Sequence, residues 1–381
     1  MDLRTKLTAA GIGGAAAVGL FAFGAGPAAA SPAHNAHPNS AHGHAVFVEA
    51  NDPAGNSIAV YDRNADGTLT AAGRYATGGR GGILDGSVVD HLASQGAVTY
   101  DADHQLLYAV NAGSNTLTVF AVHGDRLQRL QVVGSGGTFP VSVTVHRGVV
   151  YVLNARDGGS IQGFVQFGGV LLRIPAWHRN LGLDPTATPE FVNTPGEVAF
   201  SPDGEQLVVT TKANGNQIDV FHVNAFGGPS ATPTVTPDPA GVPFAVAFDP
   251  TGRLDVAEAG PNAVASFVLH EDGTLTLVDR VTTGQAATCW IVGNGSQLYV
   301  DNAGSASVST FDVTNDGLVD RGTTATDGGT IDAAISGHNL YVQTGAAGIV
   351  DEFSIGTDGA LSRIGSVTVP GTGGGEGIAA S

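Results

Sequence analysis

Short apolar runs bounded by Gly, Asp, Asn and Pro recur along the chain, and seven of them carry one pattern. They read "VFVEANDPAGNSIAVY", "LYAVNAGSNTLTVF", "VYVLNARDGGSIQGF", "LVVTTKANGNQIDVF", "LDVAEAGPNAVASF", "LYVDNAGSASVSTF" and "LYVQTGAAGIVDEF". Each has an apolar strand-like run, a turn-like centre and a closing aromatic. The aromatics are Tyr61, Phe120, Phe164, Phe221, Phe267, Phe311 and Phe353, spaced by 59, 44, 57, 46, 44 and 42 residues. A period in the forties with this strand character predicts an all-β, seven-bladed propeller, one four-stranded sheet per repeat.

Each unit starts on a further apolar strand, such as "FAVAFD" at 244–249, and ends through an Asp-Gly turn such as "HEDGTL" into an outer strand. Alternation is imperfect because inner strands are buried on both faces. Asn111, Asn154 and Asn302 recur because every blade needs the same turn. The first repeat lacks an inner strand, and the chain ends on an unclaimed strand-like piece, Gly377 to Ser381. That piece is expected to complete blade one and close the ring, which removes open strand edges. Long connections at 75–96, 171–196 and 225–241 break the repeat, and loops on a rigid scaffold are where function concentrates.

The segment before the repeats has a different character. Arg4 and Lys6, an apolar stretch from Leu7 to Phe23 and the small residues of "AGPAAASPA" predict a secretory signal peptide over 1–30. Residues 31–44, with His34, His37, His42 and His44, read as a linker, and the propeller spans 45–381. The expected location is therefore extracellular. Cys289 is the single cysteine, so no internal disulfide holds the fold, and its place in "ATCWIV" reads as packed core.

Charge narrows the partners. The 34 acidic against 16 basic residues give a net charge of −18. Nucleic acid and anionic membranes would repel such a chain. The expected partner is a small molecule or another extracellular ligand, and the expected state is a monomer.

The starts of the seven inner strands predict a ring of residues at the channel mouth: Gln95, Ser142, Glu197, Phe244, Thr288, Asp332 and Glu376. Glu197, Asp332 and Glu376 supply three carboxylates around one axis. Opening a lactone needs an activated water and a stabilised oxyanion. Like charges held together raise a carboxyl pKa and make a base. Arg80 and Lys212 are the cations placed to hold an oxyanion. Gln95, Ser142 and Thr288 would bind substrate. Carboxylates would also suit Ca²⁺, although no Asp-rich calcium loop is present; no other cofactor or metal is implied.

The blade motifs, above all "VAFSPDGEQLVVTTKANGNQIDVF" and "LYAVNAGSNTLTVFAV", resemble the lactonase-type seven-bladed propeller family. That family includes bacterial 6-phosphogluconolactonase and the fungal carboxy-muconate lactonising enzyme. The resemblance runs from residue 45 to the end, and "SQGAVTYD", "FPVSVTVHRGVVYVLNA" and "TCWIV" are similar to secreted actinobacterial members. It implies a lactone hydrolase of carbohydrate metabolism with its site at the channel mouth. Where the family has Pro-Arg-His, this chain has Pro195, Gly196 and Glu197. Where it has an Asn-Glu pair, this chain has Thr211 and Lys212. These exchanges remove the cation that would hold a phosphate or carboxylate. Glu197, at the family's functional position, is the first choice for base or ligand. Two functions stand: a secreted hydrolase of a lactone or related cyclic ester, and a non-catalytic propeller that binds an extracellular ligand or protein.

Overall fold

The computed structural model describes residues 44–371 and 373–381. The expected signal peptide and all of the expected linker but His44 lie outside the described residues. Seven four-stranded antiparallel sheets follow one another along the chain. Blade 2 runs β4 (Val98–Asp101), β5 (Leu106–Asn111), β6 (Thr116–His123) and β7 (Arg126–Gly134). Blades 3 to 7 repeat this order from β8 (Pro140–His146) to β27 (Leu361–Thr368). Blade 1 is composite: β28 (Ile378–Ala380) supplies its inner strand beside β1 (Ala45–Glu49), β2 (Ser57–Arg63) and β3 (Leu69–Ala76). Val46, Phe47 and Val48 pair with Ala380, Ala379 and Ile378, so the chain's end closes the ring as expected. No helix among the described residues is long and apolar enough to cross a membrane.

The repeated residues have concrete work. All seven closing aromatics are buried. Three tyrosines of these runs tie blade to blade, whereas the buried Tyr108 hydroxyl has no partner among the described residues. Tyr151 Oη donates to Gly227 O at 2.6 Å, Tyr299 Oη to Gly359 O at 3.1 Å and Tyr341 Oη to Gly67 O at 2.8 Å. In each case the acceptor is a turn carbonyl of the following blade. Gly67 and Gly359 take φ of +88° and +80°, which a residue with a side chain adopts only under strain. Asn111 and Asn302 knit their own blades: Asn111 Nδ2 donates to Thr118 Oγ1 at 2.9 Å, and Asn302 Nδ2 to Ser309 Oγ at 3.0 Å.

Two of the long connections are partly strand. Residues 170–180 form β11 (Val170–Asn180), the fourth strand of blade 3, and Thr234–Pro237 form β15, the fourth strand of blade 4. The 75–96 connection stays irregular beyond β3 and determines what the channel mouth looks like.

Candidate functional site at the inner-strand end of the channel

Strand pairing fixes the inner-strand register. Ile378, Val98, Val143, Val198, Val246, Ile291 and Ala333 pair with equivalent residues of their neighbouring strands. Counted back from this row, the residues expected to form one ring come from three levels. Ser142, Glu197 and Asp332 stand one residue before it, Phe244 and Glu376 two before, and Gln95 and Thr288 three before. The levels differ in part because four of the inner strands open on a bulge or irregular step, between Pro140 and Ser142, Pro243 and Ala245, Thr288 and Trp290, and Ile331 and Ala333.

The carboxylates nevertheless converge, and they are dry. Glu197, Asp332 and Glu376 are 9%, 3% and 0% exposed. The Asp332 and Glu376 carboxyls share a hydrogen bond. Asp332 also accepts from the N–H groups of Ala333 (3.0 Å) and Ile378 (3.2 Å). Glu376 accepts from Ser94 Oγ at 3.0 Å. Burial pushes Asp332 up to about 7 and raises Glu376 well above the usual carboxyl range, with Asp90, Asp332 and Glu49 adding like charge to Glu376. The shared hydrogen bond raises the Glu376 value and lowers that of Asp332, the sense that goes with Glu376 as donor.

Glu197 is not the free base that the sequence suggested. Its Oε2 accepts from Val246 N at 2.7 Å and Gln95 Nε2 at 3.2 Å. Burial, and secondarily Asp332, raise its pKa well above the usual carboxyl range. Ser142 Oγ is buried and accepts from Val198 N at 3.3 Å, and Thr288 Oγ1 bonds Asn302 Oδ1 at 2.6 Å and Thr283 Oγ1 at 2.9 Å. Both act as joints of the scaffold. Phe244 packs edge-on against Trp290 at 4.9 Å.

Of the two expected cations, one is present at the acids. Lys212 is 1% exposed, and its Nζ donates to Ala93 O (2.5 Å), Phe191 O (2.7 Å) and Thr194 Oγ1 (3.1 Å) and lies over the Phe244 ring at 5.2 Å. Burial lowers its pKa to about 7, against the charges of Asp90, Cys289, Glu190 and Glu376, which favour the ammonium. Arg80 does not reach in. Its side chain is exposed, and its backbone is fixed to blade 2, N–H to Ser114 Oγ at 3.0 Å and C=O from Gly113 N at 3.0 Å.

The sequence singled out the 75–96 connection and Gln95 but not that the end of this segment covers the cluster. Asp90–Gly96 crosses the mouth as a strap, and its contacts take up the polar groups beneath it. Asp90 turns the strap by accepting from Leu92 N (2.8 Å) and Ser94 N (3.0 Å), and burial pushes its pKa to about 6. Ser94 O accepts from Trp290 Nε1 at 2.6 Å. Gln95, expected to bind substrate, belongs to the strap: its amide spans Glu197, Ile291 O at 3.1 Å and Ile291 N at 2.9 Å. Glu49 and Asp301 were also missed. Both are buried with raised pKa values, and neither oxygen of Asp301 has a partner. The alternating strand pattern hid both, since each occupies a position apolar or neutral in most other blades. Among the described residues, no three His, Cys, Asp or Glu side chains converge as metal ligands, so the acids form no Ca²⁺ cage.

Three residues of this cluster, Ala93, Lys212 and Asp332, have left-handed φ of 49°, 50° and 30° without being glycine. Strain of that kind, of order 1–3 kcal/mol per residue, persists where the surroundings enforce it and gathers at functional sites.

No family model and no curated protein sequence matches the chain. Solved structures do. A Bacteroides fragilis protein that carries the name 6-phosphogluconolactonase superposes with a TM-score of 0.72 at 19% identity, covering 91% of this chain and all of that one. This is the fold of the lactonase-type propellers. The periplasmic gluconolactonase of Pseudomonas aeruginosa gives 0.69 at 18% identity, over 88% of this chain and 98% of that one. Virginiamycin B lyase from Staphylococcus aureus is similar at 0.51 and 14% identity, over 73% and 86%. At these identities the likeness establishes the seven-bladed architecture, and the chemistry has to be argued from the residues.

Proposed function

We propose that this chain hydrolyses uncharged lactones at the inner-strand end of its channel, with Asp332 as base, Glu376 as its proton-holding partner and Lys212 as the oxyanion cation. The Asp332–Glu376 pair carries this reading. Two carboxyls joined by a hydrogen bond give an acid and a base in one place, and carboxyls with strongly raised pKa values are what acid–base chemistry near neutrality uses. In the reaction, Asp332 takes a proton from water as its oxygen bonds to the lactone carbonyl carbon. The carbonyl oxygen becomes an oxyanion beside Lys212. When the ring C–O bond breaks, the leaving oxygen takes the proton from Asp332, giving the hydroxy acid.

A lactone bearing phosphate is a poor candidate. The acids dominate the cluster, and all three hydrogen-bonded partners of Lys212 are internal. Titration at constant pH over a panel of unphosphorylated lactones tests the proposal. Activity is expected in the native protein, with losses of about 10²–10⁴ in Asp332→Asn and Glu376→Gln. Equal rates in native and Asp332→Asn protein would refute the assignment.

A second reading rests on the strap. With the acids dry and the mouth covered, the propeller would act as an extracellular binding module that does no chemistry. Tight lactone binding with no turnover across the panel is its signature.

A further inference from the structure

The strap meets the cluster as a ligand would. Lys212 Nζ holds the Ala93 carbonyl oxygen at 2.5 Å, and Trp290 Nε1 holds the Ser94 carbonyl oxygen at 2.6 Å. The Ser94 hydroxyl reaches both Glu376 Oε2 at 3.0 Å and Val141 O at 2.9 Å. Two carbonyls and a hydroxyl therefore sit on the donors and the acid that a hydroxylated carbonyl compound would use. The attachment is wide. His91 N donates to Gly374 O at 2.9 Å, Gln95 N to Gly196 O at 3.2 Å, and Val143 N to Gly96 O at 2.9 Å. With the Gln95 amide on Ile291, these bonds reach blades 1, 3, 4 and 6.

The strap is also built to leave. It is irregular chain rather than strand, with Gly86 at φ +86° ahead of it and Gly96 at φ +84° behind. Its contact residue Ala93 is held left-handed, at a cost that release recovers. Only two of its side chains, Leu92 and Ala93, add to the apolar core.

We infer that residues 90–96 are an internal occupant of the channel site, an autoinhibitory strap that exchanges between this seated position and a withdrawn one in which the Lys212, Trp290 and Glu376 contacts are free for an external carbonyl ligand. The inference goes beyond the hydrolase reading: a strap that withdraws serves a binding module equally well.

Cys289 reports on it without any activity. It is the single thiol in the sequence, buried, next in chain to Trp290 and within electrostatic reach of Lys212 and Asp90. Burial pushes its pKa up to about 12, which suppresses the reactive thiolate. The experiment follows modification of Cys289 by iodoacetamide in the full chain under native conditions. Gln95→Ala removes the side-chain bonds to Glu197 and Ile291, and is expected to speed modification at least tenfold while the denaturant midpoint of the ring moves little. In native protein, the modification rate in low urea should rise with a much shallower slope than global unfolding, because withdrawal exposes little surface. Should the thiol react only at the global unfolding rate and with the full unfolding slope, the strap is a fixed part of the core and the inference is wrong. The native-protein measurement decides the matter even where Gln95→Ala fails to fold. Failure of the hydrolase reading looks different: the thiol opens with a shallow slope, and no lactone turns over.

Discussion

At position 212 the chain keeps a lysine amine where solvent does not reach, and around it carboxyls where charge is disfavoured. The two shifts act on stability in opposite senses, and their windows differ. Asp332 and Asp90 titrate at about 7 and about 6 in the fold, against an ordinary aspartate near 3.9. Between about pH 4 and 7 the native state holds protons that the unfolded chain has released. The stability from these groups is full below about 4 and is lost as pH rises through their folded values. Lys212 runs the other way: its folded value of about 7 lies below the ordinary lysine value near 10.4, so its contribution grows as pH rises from about 7 to 10. Carboxyls with lowered pKa, such as Glu190 beside Arg156 and hydrogen-bonded Asp249, exert their effect below about pH 4, outside this window. The urea midpoint should therefore fall between pH 4.5 and 7 and recover toward pH 10. Asp332→Asn should flatten the falling limb, each removed pKa unit being worth about 1.4 kcal/mol. A midpoint that climbs steadily from 4.5 to 7 would mean the buried acids are ionised in the fold.

Among the elements, β28 has an influence out of proportion to its three residues. It pairs with β1 and places Ile378 and Ala379 in the apolar packing of blade 1. Its first amide also donates to Asp332. Ending the chain after Gly377 would leave β1 with an open edge and Asp332 without that donor. Such a truncation should lose at least 3 kcal/mol, roughly one large core deletion, and lower the melting temperature by more than about 5 °C. An unchanged melting temperature would show that the ring closes without β28. This closure was legible in the sequence, because a strand missing at one end and a strand spare at the other can pair in only one way. The blades were legible too, since period, closing aromatic and Asp-Gly turn repeat. The strap was not. Nothing in "DHLASQG" alternates or repeats, and its structure comes from contacts with distant residues, Lys212, Trp290 and Glu376 among them. The inner ring was half-legible: Glu197, Asp332 and Glu376 do converge, but a bulge at four of the strand starts blurs register, and no local pattern reports a bulge.

For the whole molecule the decisive quantity is charge. The chain carries −18, and the arginines at positions 253, 280, 321 and 363 are engaged with carboxylates. Lys212 is internally satisfied and Arg80 stands apart from the acids. An anionic substrate thus approaches a negative chain and, among the described residues, finds Lys212 already engaged by internal partners, so its encounter is slowed and its bound state destabilised. A neutral lactone suffers neither effect. The same sugar lactone offered with and without a phosphate group separates the two. The neutral form should show the higher kcat/KM by at least tenfold, the equivalent of about 1.4 kcal/mol in transition-state binding. Salt supplies the control. At about 0.5 M, the field beyond the first few ångströms is screened, so the long-range part of the gap should narrow. The part due to the missing phosphate partner acts at contact distance and should remain. Preference for the phosphorylated lactone at low salt would require a cation at the mouth that the seated arrangement lacks, and would move the binding site away from the inner-strand acids.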